Sequence, residues 1–241
     1  IFMILGSLPF LVIAQTSFKN LFATFKDHQV RIFLIILLLS IFIIYFFAQK
    51  YLEGNSFSKI ITISFNTISI ISGTGYVSTN FENWGNYASV LFLILMFIGG
   101  CAGSTTGGLK VFRFQILFKY ISLHLKRMLK PHAVIATHFN GKKVNESTYE
   151  SVMSFFFIYI FTFAMSALLL SFSGMDFLTC FSAAASAISN VGPGLGSVIG
   201  PEGNYSSLTD YSKIILVFTM FLGRLEMLTI LILFLPSFWK D

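Results

Sequence analysis

The chain of 241 residues is 55% hydrophobic, only 11% charged, and carries a formal net charge of +6. Soluble domains carry about 25% charged residues, so this composition excludes an ordinary soluble enzyme or binding module and marks a membrane protein. The basic surplus falls in linkers between apolar segments, which reads as membrane topology and not as a nucleic-acid surface.

In chain order, residues 1–14 are already apolar, with no initiator Met, no basic start and no small-residue cleavage site. They read as the tail of a helix begun upstream, followed by a cytoplasmic linker to residue 30, so the chain reads as a fragment. Residues 32–48 form an unbroken apolar run of 17, enough for one span. Residues 57–71 are apolar but too short to cross, and they end in "SGTGY". That length predicts a re-entrant half-helix with a glycine loop. Residues 84–98 are apolar, break at "GGCAGSTTGG" (99–108), and resume at 109–123. Residues 31–123 therefore read as one helix, pore half-helix and helix unit with an intramembrane loop.

Residues 124–148 form a basic cytoplasmic linker, and residues 149–241 repeat the first order of elements. A 24-residue span covers 149–172, a second half-helix covers 176–189, and "SNVGPG" follows it. A 25-residue span is expected over 211–235, with Arg224 and Glu226 inside. The fold class is therefore an all-α membrane protein built from repeated units. Cys101 and Cys180 read as free buried thiols, and His28, His124, His132 and His138 as solvated linker residues, with no metal spacing among them.

Twelve of the 16 Lys and Arg fall on one side of this arrangement, which places that side in the cytoplasm. The other side carries Lys50, Lys59 and Lys213 against Glu53, Glu82, Asp176, Glu202 and Asp210, a net charge of −2 that attracts cations. Aligning Gly75 with Gly192, 117 positions later, brings Ser69 to Ser186, Ser72 to Ser189 and Thr74 to Val191. Parallel repeats of this kind surround an axis along the membrane normal.

Non-helical backbone at membrane depth survives only where protein or a watery cavity surrounds it. Glycine lets successive carbonyls turn to one side, where they replace the hydration shell of a cation. A half-helix entering from outside points its negative C-terminal end inward, which favours a cation there. The candidate ion ligands are the backbone oxygens of Ser72, Gly73, Thr74 and Gly75, and of Asn190, Val191 and Gly192. With no carboxylate in either loop, these suit a weakly hydrated monovalent ion. The plain alternative is a pair of surface turns. Five glycines within 99–108 (Gly99, Gly100, Gly103, Gly107 and Gly108) do not hold a helix. With Ser104, Thr105 and Thr106 they mark a movable gate, the alternative being close helix packing. Arg224 is costly inside a membrane and should face protein, donating to carbonyls of that loop. A static ion pair is its bland alternative.

"FNTISIISGTGYVST", "WGNYASVLFLILMFIGGCAGSTTGGLKVFRFQI", "SAAASAISNVGPGLG" and "FLGRLEMLTILILFLP" together resemble the Trk/Ktr/HKT superfamily of potassium transporters, most closely its TrkH members. The resemblance covers nearly the whole chain. It places the end of a second repeat, then a third and a fourth, in this sequence. It implies K⁺ uptake through one selectivity filter that includes Gly75 and Gly192, obstructed by the 99–108 loop and the pore-facing Arg224. It also implies no cofactor, K⁺ as the transported ion, a multi-pass location in the inner membrane, a homodimer, and a cytosolic nucleotide-binding ring of the TrkA type. Gly73 departs from the Thr that third filters of the family often carry, which leaves less selective K⁺/Na⁺ conduction as an alternative. A broken-helix secondary transporter for another small solute is a further one, disfavoured by the inward C-termini. An intramembrane enzyme lacks a histidine base at membrane depth.

Overall fold

The computed structural model describes residues 1–10, 14, 27–130, 138–139, 142–225, 227–233 and 235–239. Much of the expected 1–30 linker, part of the 124–148 linker (with His132), Glu226 and Lys240 lie outside the described residues.

A short helix α1 (Phe2–Ser7) precedes the first long helix, α2 (His28–Ala48). Asp27 caps α2, its Oδ1 accepting from Gln29 N at 2.7 Å. The chain then turns into α3 (Ser56–Ile71) and a glycine loop. A 3₁₀ turn (Phe81–Trp84) leads into α4 (Asn86–Phe97), and the 99–108 loop separates α4 from α5 (Val111–Leu129). The second unit runs α6 (Glu146–Ser171), α7 (Phe177–Ser189), a second glycine loop and α8 (Asp210–Arg224). Helix α9 (Met227–Leu233) and a 3₁₀ turn (Pro236–Trp239) follow.

Helices α2 and α6, at 21 and 26 residues, are long and apolar enough to cross a membrane. Helices α3 and α7, at 16 and 13 residues, reach only about 24 and 20 Å at 1.5 Å per residue. That is short of the roughly 30 Å hydrocarbon core. Both stop for the same local reason, a left-handed residue after the last turn, Gly73 in one and Asn190 in the other.

Three expectations are corrected. The single span expected over 211–235 is two helices, broken at Leu225. Leu225 N still donates to Phe221 O at 3.2 Å, but its ψ of 15° carries the chain out of the helix. Helix α5 runs six residues past the expected end at 123, its last turn carrying Lys126 and Arg127 where they meet the negative helix end. His124 therefore stacks on Tyr120 inside a helix, and His28 opens α2 beside Phe139; neither is a linker residue. The central linker also contains an antiparallel pair of two-residue strands, β1 (His138–Phe139) and β2 (Lys142–Lys143). Among the described residues this is the only sheet in an otherwise helical fold.

Each unit has its own apolar cluster. Phe33, Ile44, Ile63, Ile70, Trp84 and Phe92 tie α2, α3 and α4 together. Leu170, Ala183, Ala187 and Leu216 tie α6, α7 and α8. Ala185, Val191 and Leu195 of the second unit join the first cluster, so the units meet at α7 and its loop. Every residue of α7 from Ala183 to Ser189 is buried, and the alanines let neighbouring helices approach closely. Cys101 and Cys180 are free and buried in different clusters.

Candidate functional site

The two glycine loops are built by one backbone recipe. At the end of α3, Gly73 N donates to Ile70 O at 3.0 Å and Thr74 N to Ser69 O at 3.0 Å. At the end of α7, Asn190 N donates to Ala187 O at 3.1 Å and Val191 N to Ser186 O at 3.0 Å. This is the Schellman pattern of a helix C-terminus, twice, in the register that aligns Gly75 with Gly192. Gly73 (φ 64°) and Asn190 (φ 54°) hold the left-handed position, and Gly75 (φ 76°) and Gly192 (φ 117°) follow two residues later.

The loops converge. A Cβ on Gly75 would lie 2.1 Å from Val191 O, and one on Gly192 would lie 3.8 Å from Gly75 Cα. A Cβ on Gly73 would lie 3.8 Å from Asn190 O and 3.7 Å from Gly107 N. The predicted residues of both loops are thus in one place, and Gly107 of the 99–108 loop is there with them.

That loop is closed at its neck. Gly99 N donates to Leu109 O at 2.9 Å, Leu109 N to Phe97 O at 2.9 Å, and Val111 N to Gly100 O at 3.0 Å. The chain leaves in the direction in which it entered, as the parallel bridge between Ile98 and Leu109 requires. The hydroxyls close the interior. Thr106 Oγ1 accepts from Gly100 N at 2.8 Å and pairs with Ser104 Oγ at 2.8 Å. Thr105 Oγ1 reaches out to Gly6 O at 3.1 Å, and Cys101 N to Ser7 O at 2.9 Å. Polar backbone that would be intolerable in lipid is satisfied within the loop and by α1.

Above the loop lies the end of α7: a Cβ on Gly107 would meet Ser189 O at 2.2 Å. Arg224 Nη1 donates to Thr105 O at 3.1 Å. A recess of about 230 Å³ lies between them, lined by residues 104–108 together with Lys110, Arg113, Phe155, Gly223 and Arg224. Gly223 is needed at this crossing, since its Cβ would stand 2.0 Å from Ile188 O.

Several side chains that sequence reasoning missed hold the loops. Asn66 binds Ser78 twice, Nδ2 donating to Ser78 Oγ at 2.8 Å and Oδ1 accepting from Ser78 N at 3.1 Å. Leu195, which aligns with Ser78, is held by a residue one place before the position aligned with Asn66: Ser182 Oγ accepts from Leu195 N at 2.8 Å and donates to Leu195 O at 3.0 Å. Tyr205 Oη donates to Gly192 O at 2.8 Å, and Ser186 Oγ accepts from Gly192 N at 3.0 Å. Asn190 Nδ2 donates to Met220 O at 3.1 Å, and Tyr159 Oη pairs with Ser189 Oγ at 2.7 Å. Glu82 accepts from Gly196 N, linking the two units across the loop ends. The alignment pairs the held residues Ser78 and Leu195, which share the 117-residue offset, but it does not point to the side chains that hold them.

Residues 1–240 match the family model described as "TrkH: Cation transport protein". The chain is 38% identical over 242 residues to the Trk system potassium uptake protein TrkI of Halomonas elongata, covering 100% of this chain and 49% of that protein. It is 35% identical to the Trk system potassium uptake protein TrkH of Vibrio parahaemolyticus, covering 96% of this chain and 50% of that protein. The crystal structure of the potassium transporter TrkH from Vibrio parahaemolyticus superposes with a TM-score of 0.88 at 32% identity, over 99% of this chain and 51% of the other. The chain spans about half the length of these relatives.

Proposed function

This chain belongs to the TrkH family of cation transport proteins, and from that membership we propose that it lines part of a K⁺ uptake path across the cytoplasmic membrane. The proposal rests chiefly on the meeting of two glycine loops that leave their helices by the same hydrogen-bond pattern, with Gly75 against Val191 O. Both sit at helix C-termini, whose negative dipole ends favour a cation. Backbone oxygens of Ser72, Gly73, Thr74 and Gly75, and of Asn190, Val191 and Gly192, form their share of a selectivity filter there. An anion carrier would present helix N-termini instead.

The 99–108 loop gates this path from below. Its contact with Ser189 and its tether to Arg224 support that role. The protein is multi-pass, with its basic linkers in the cytoplasm. It works as a homodimer, and a TrkA-type nucleotide-binding ring docks on the cytoplasmic face near Lys126 and Arg127.

Cells lacking other K⁺ uptake, expressing the intact gene product that carries this sequence, should take up Rb⁺. Gly75→Asp should bring that uptake to background, because it adds a charged side chain where even a Cβ has 2.1 Å of room. Uptake unchanged in this variant would remove the filter from Gly75.

A further inference from the structure

We propose that Tyr205 is a positioning residue for cation discrimination, acting by holding the Gly192 carbonyl; this rests on the filter reading above. Tyr205 lies outside the helices, in the turn region between the second glycine loop and α8, and no family motif in the sequence singles it out. Its phenol donates to Gly192 O at 2.8 Å. The NH of the same residue is held by Ser186 Oγ at 3.0 Å, and the phenol also meets the Ser186 side chain. Both backbone groups of Gly192 are therefore fixed by side chains. Burial raises the phenol's pKa, which keeps it a donor at any physiological pH.

Gly75 has no such arrangement. Its N–H donates to the Ser69 backbone oxygen at a long 3.3 Å. Ser69 Oγ, in the place of Ser186 Oγ, is buried without a partner. No described side chain donates to Gly75 O.

The chemistry follows from what a carbonyl can accept. It has two lone-pair directions, so Gly192 O can take the phenol on one and a cation on the other. The phenol fixes where the oxygen points and draws off part of its charge. Discrimination between K⁺ and Na⁺ depends on the size and the field strength of the oxygen cage. A freed carbonyl can turn toward the axis and bind with a stronger field, which favours the smaller ion.

The test is a comparison of Tyr205→Phe and Tyr205→Ala in cells carrying the intact gene product, with Rb⁺ and Na⁺ uptake measured across concentrations. Loss of one hydrogen bond corresponds to a change of about three- to tenfold. Tyr205→Phe is expected to lower the Rb⁺-over-Na⁺ preference by that amount, read from the ratio of KM values, and Tyr205→Ala by a similar amount. A packing role would instead leave Phe with the wild-type ratio and lower the maximal rate for both ions in Ala. A wild-type ratio in Tyr205→Phe overturns the proposal, as does equal loss of both fluxes in a protein that remains monodisperse in detergent. Gly75→Asp run alongside separates the two readings: if it keeps its flux, the filter reading fails whatever Tyr205 does. If it loses flux while Tyr205→Phe keeps its ratio, only the Tyr205 proposal falls.

Discussion

Gly73 and Asn190 stand at the same turn of the two units and share a left-handed backbone, yet what surrounds them differs. Around the first loop, Ser72 Oγ pairs with Thr74 Oγ1 at 2.7 Å, and Asn66 holds Ser78. Around the second, Asn190 ties to α8, Ser186 and Tyr205 fasten Gly192, Ser182 fastens Leu195 and Glu82 takes Gly196. The course of the backbone is set by how a helix ends, which several residue types satisfy. Its rigidity is set by side chains from elsewhere, and these have been placed mostly on one unit. The first loop is the looser half of the pair and the second is the anchored half.

The sharpest way to break that comparison is to add one methyl to each loop. A Cβ at Gly75 collides with Val191 O at 2.1 Å, while one at Gly192 meets nothing closer than Gly75 Cα at 3.8 Å. Both alanines pay the left-handed cost of about 1–2 kcal/mol. Only Gly75→Ala adds overpacking, on the order of 1–3 kcal/mol. Rb⁺ uptake should therefore vanish in Gly75→Ala and fall to about one-tenth in Gly192→Ala. Equal losses would mean that the two loops are not stacked as described.

A smaller effect is expected one layer down. Arg224, from the second unit, holds the 99–108 loop of the first through Thr105 O at 3.1 Å. A charged hydrogen bond contributes roughly 1.5–3 kcal/mol. Arg224→Gln keeps a shorter amide in place of the guanidinium and removes the positive charge beside the proposed path. The Rb⁺ uptake rate should rise severalfold. An unchanged rate would leave Arg224 as a static tie between units and move the gate elsewhere.

Much of this organisation was legible in the sequence because it is written in composition. Half-helix lengths follow from short apolar runs, and the repeat follows from one alignment on glycine. The donation of Arg224 to the 99–108 loop followed from the cost of an unpaired guanidinium among apolar residues. What was not legible depends on contacts across the chain. The break at Leu225 has local marks, Gly223 before it and Arg224 and Glu226 on either side, but none of them by itself ends a helix, so the apolar run on both sides reads as one span. The break accompanies the approach of α8 to the end of α7, through Gly223 and the Asn190 amide. Tyr205, Glu82, Asn66 and Ser182 are ordinary polar residues in sequence, and only the folded chain brings them to the loops.

The mildest test exchanges the two left-handed residues. Asn tolerates that backbone better than other side chains, and a Cβ at Gly73 has ordinary contacts of 3.7 and 3.8 Å. Gly73→Asn also reduces the freedom of the unfolded chain, worth about 0.4–1 kcal/mol. The gain and the residual strain nearly cancel, so its apparent Tm in detergent should stay close to wild type. Asn190→Gly relieves the same strain but loses that entropy and the bond from Nδ2 to Met220 O at 3.1 Å. With a hydrogen bond contributing about 0.5–1.5 kcal/mol, its net loss is about 1 kcal/mol and its apparent Tm should fall by a few degrees. If Gly73→Asn were the more damaging of the two, the first loop would be the tightly fitted one, and the difference in anchoring between the units would have to be reversed.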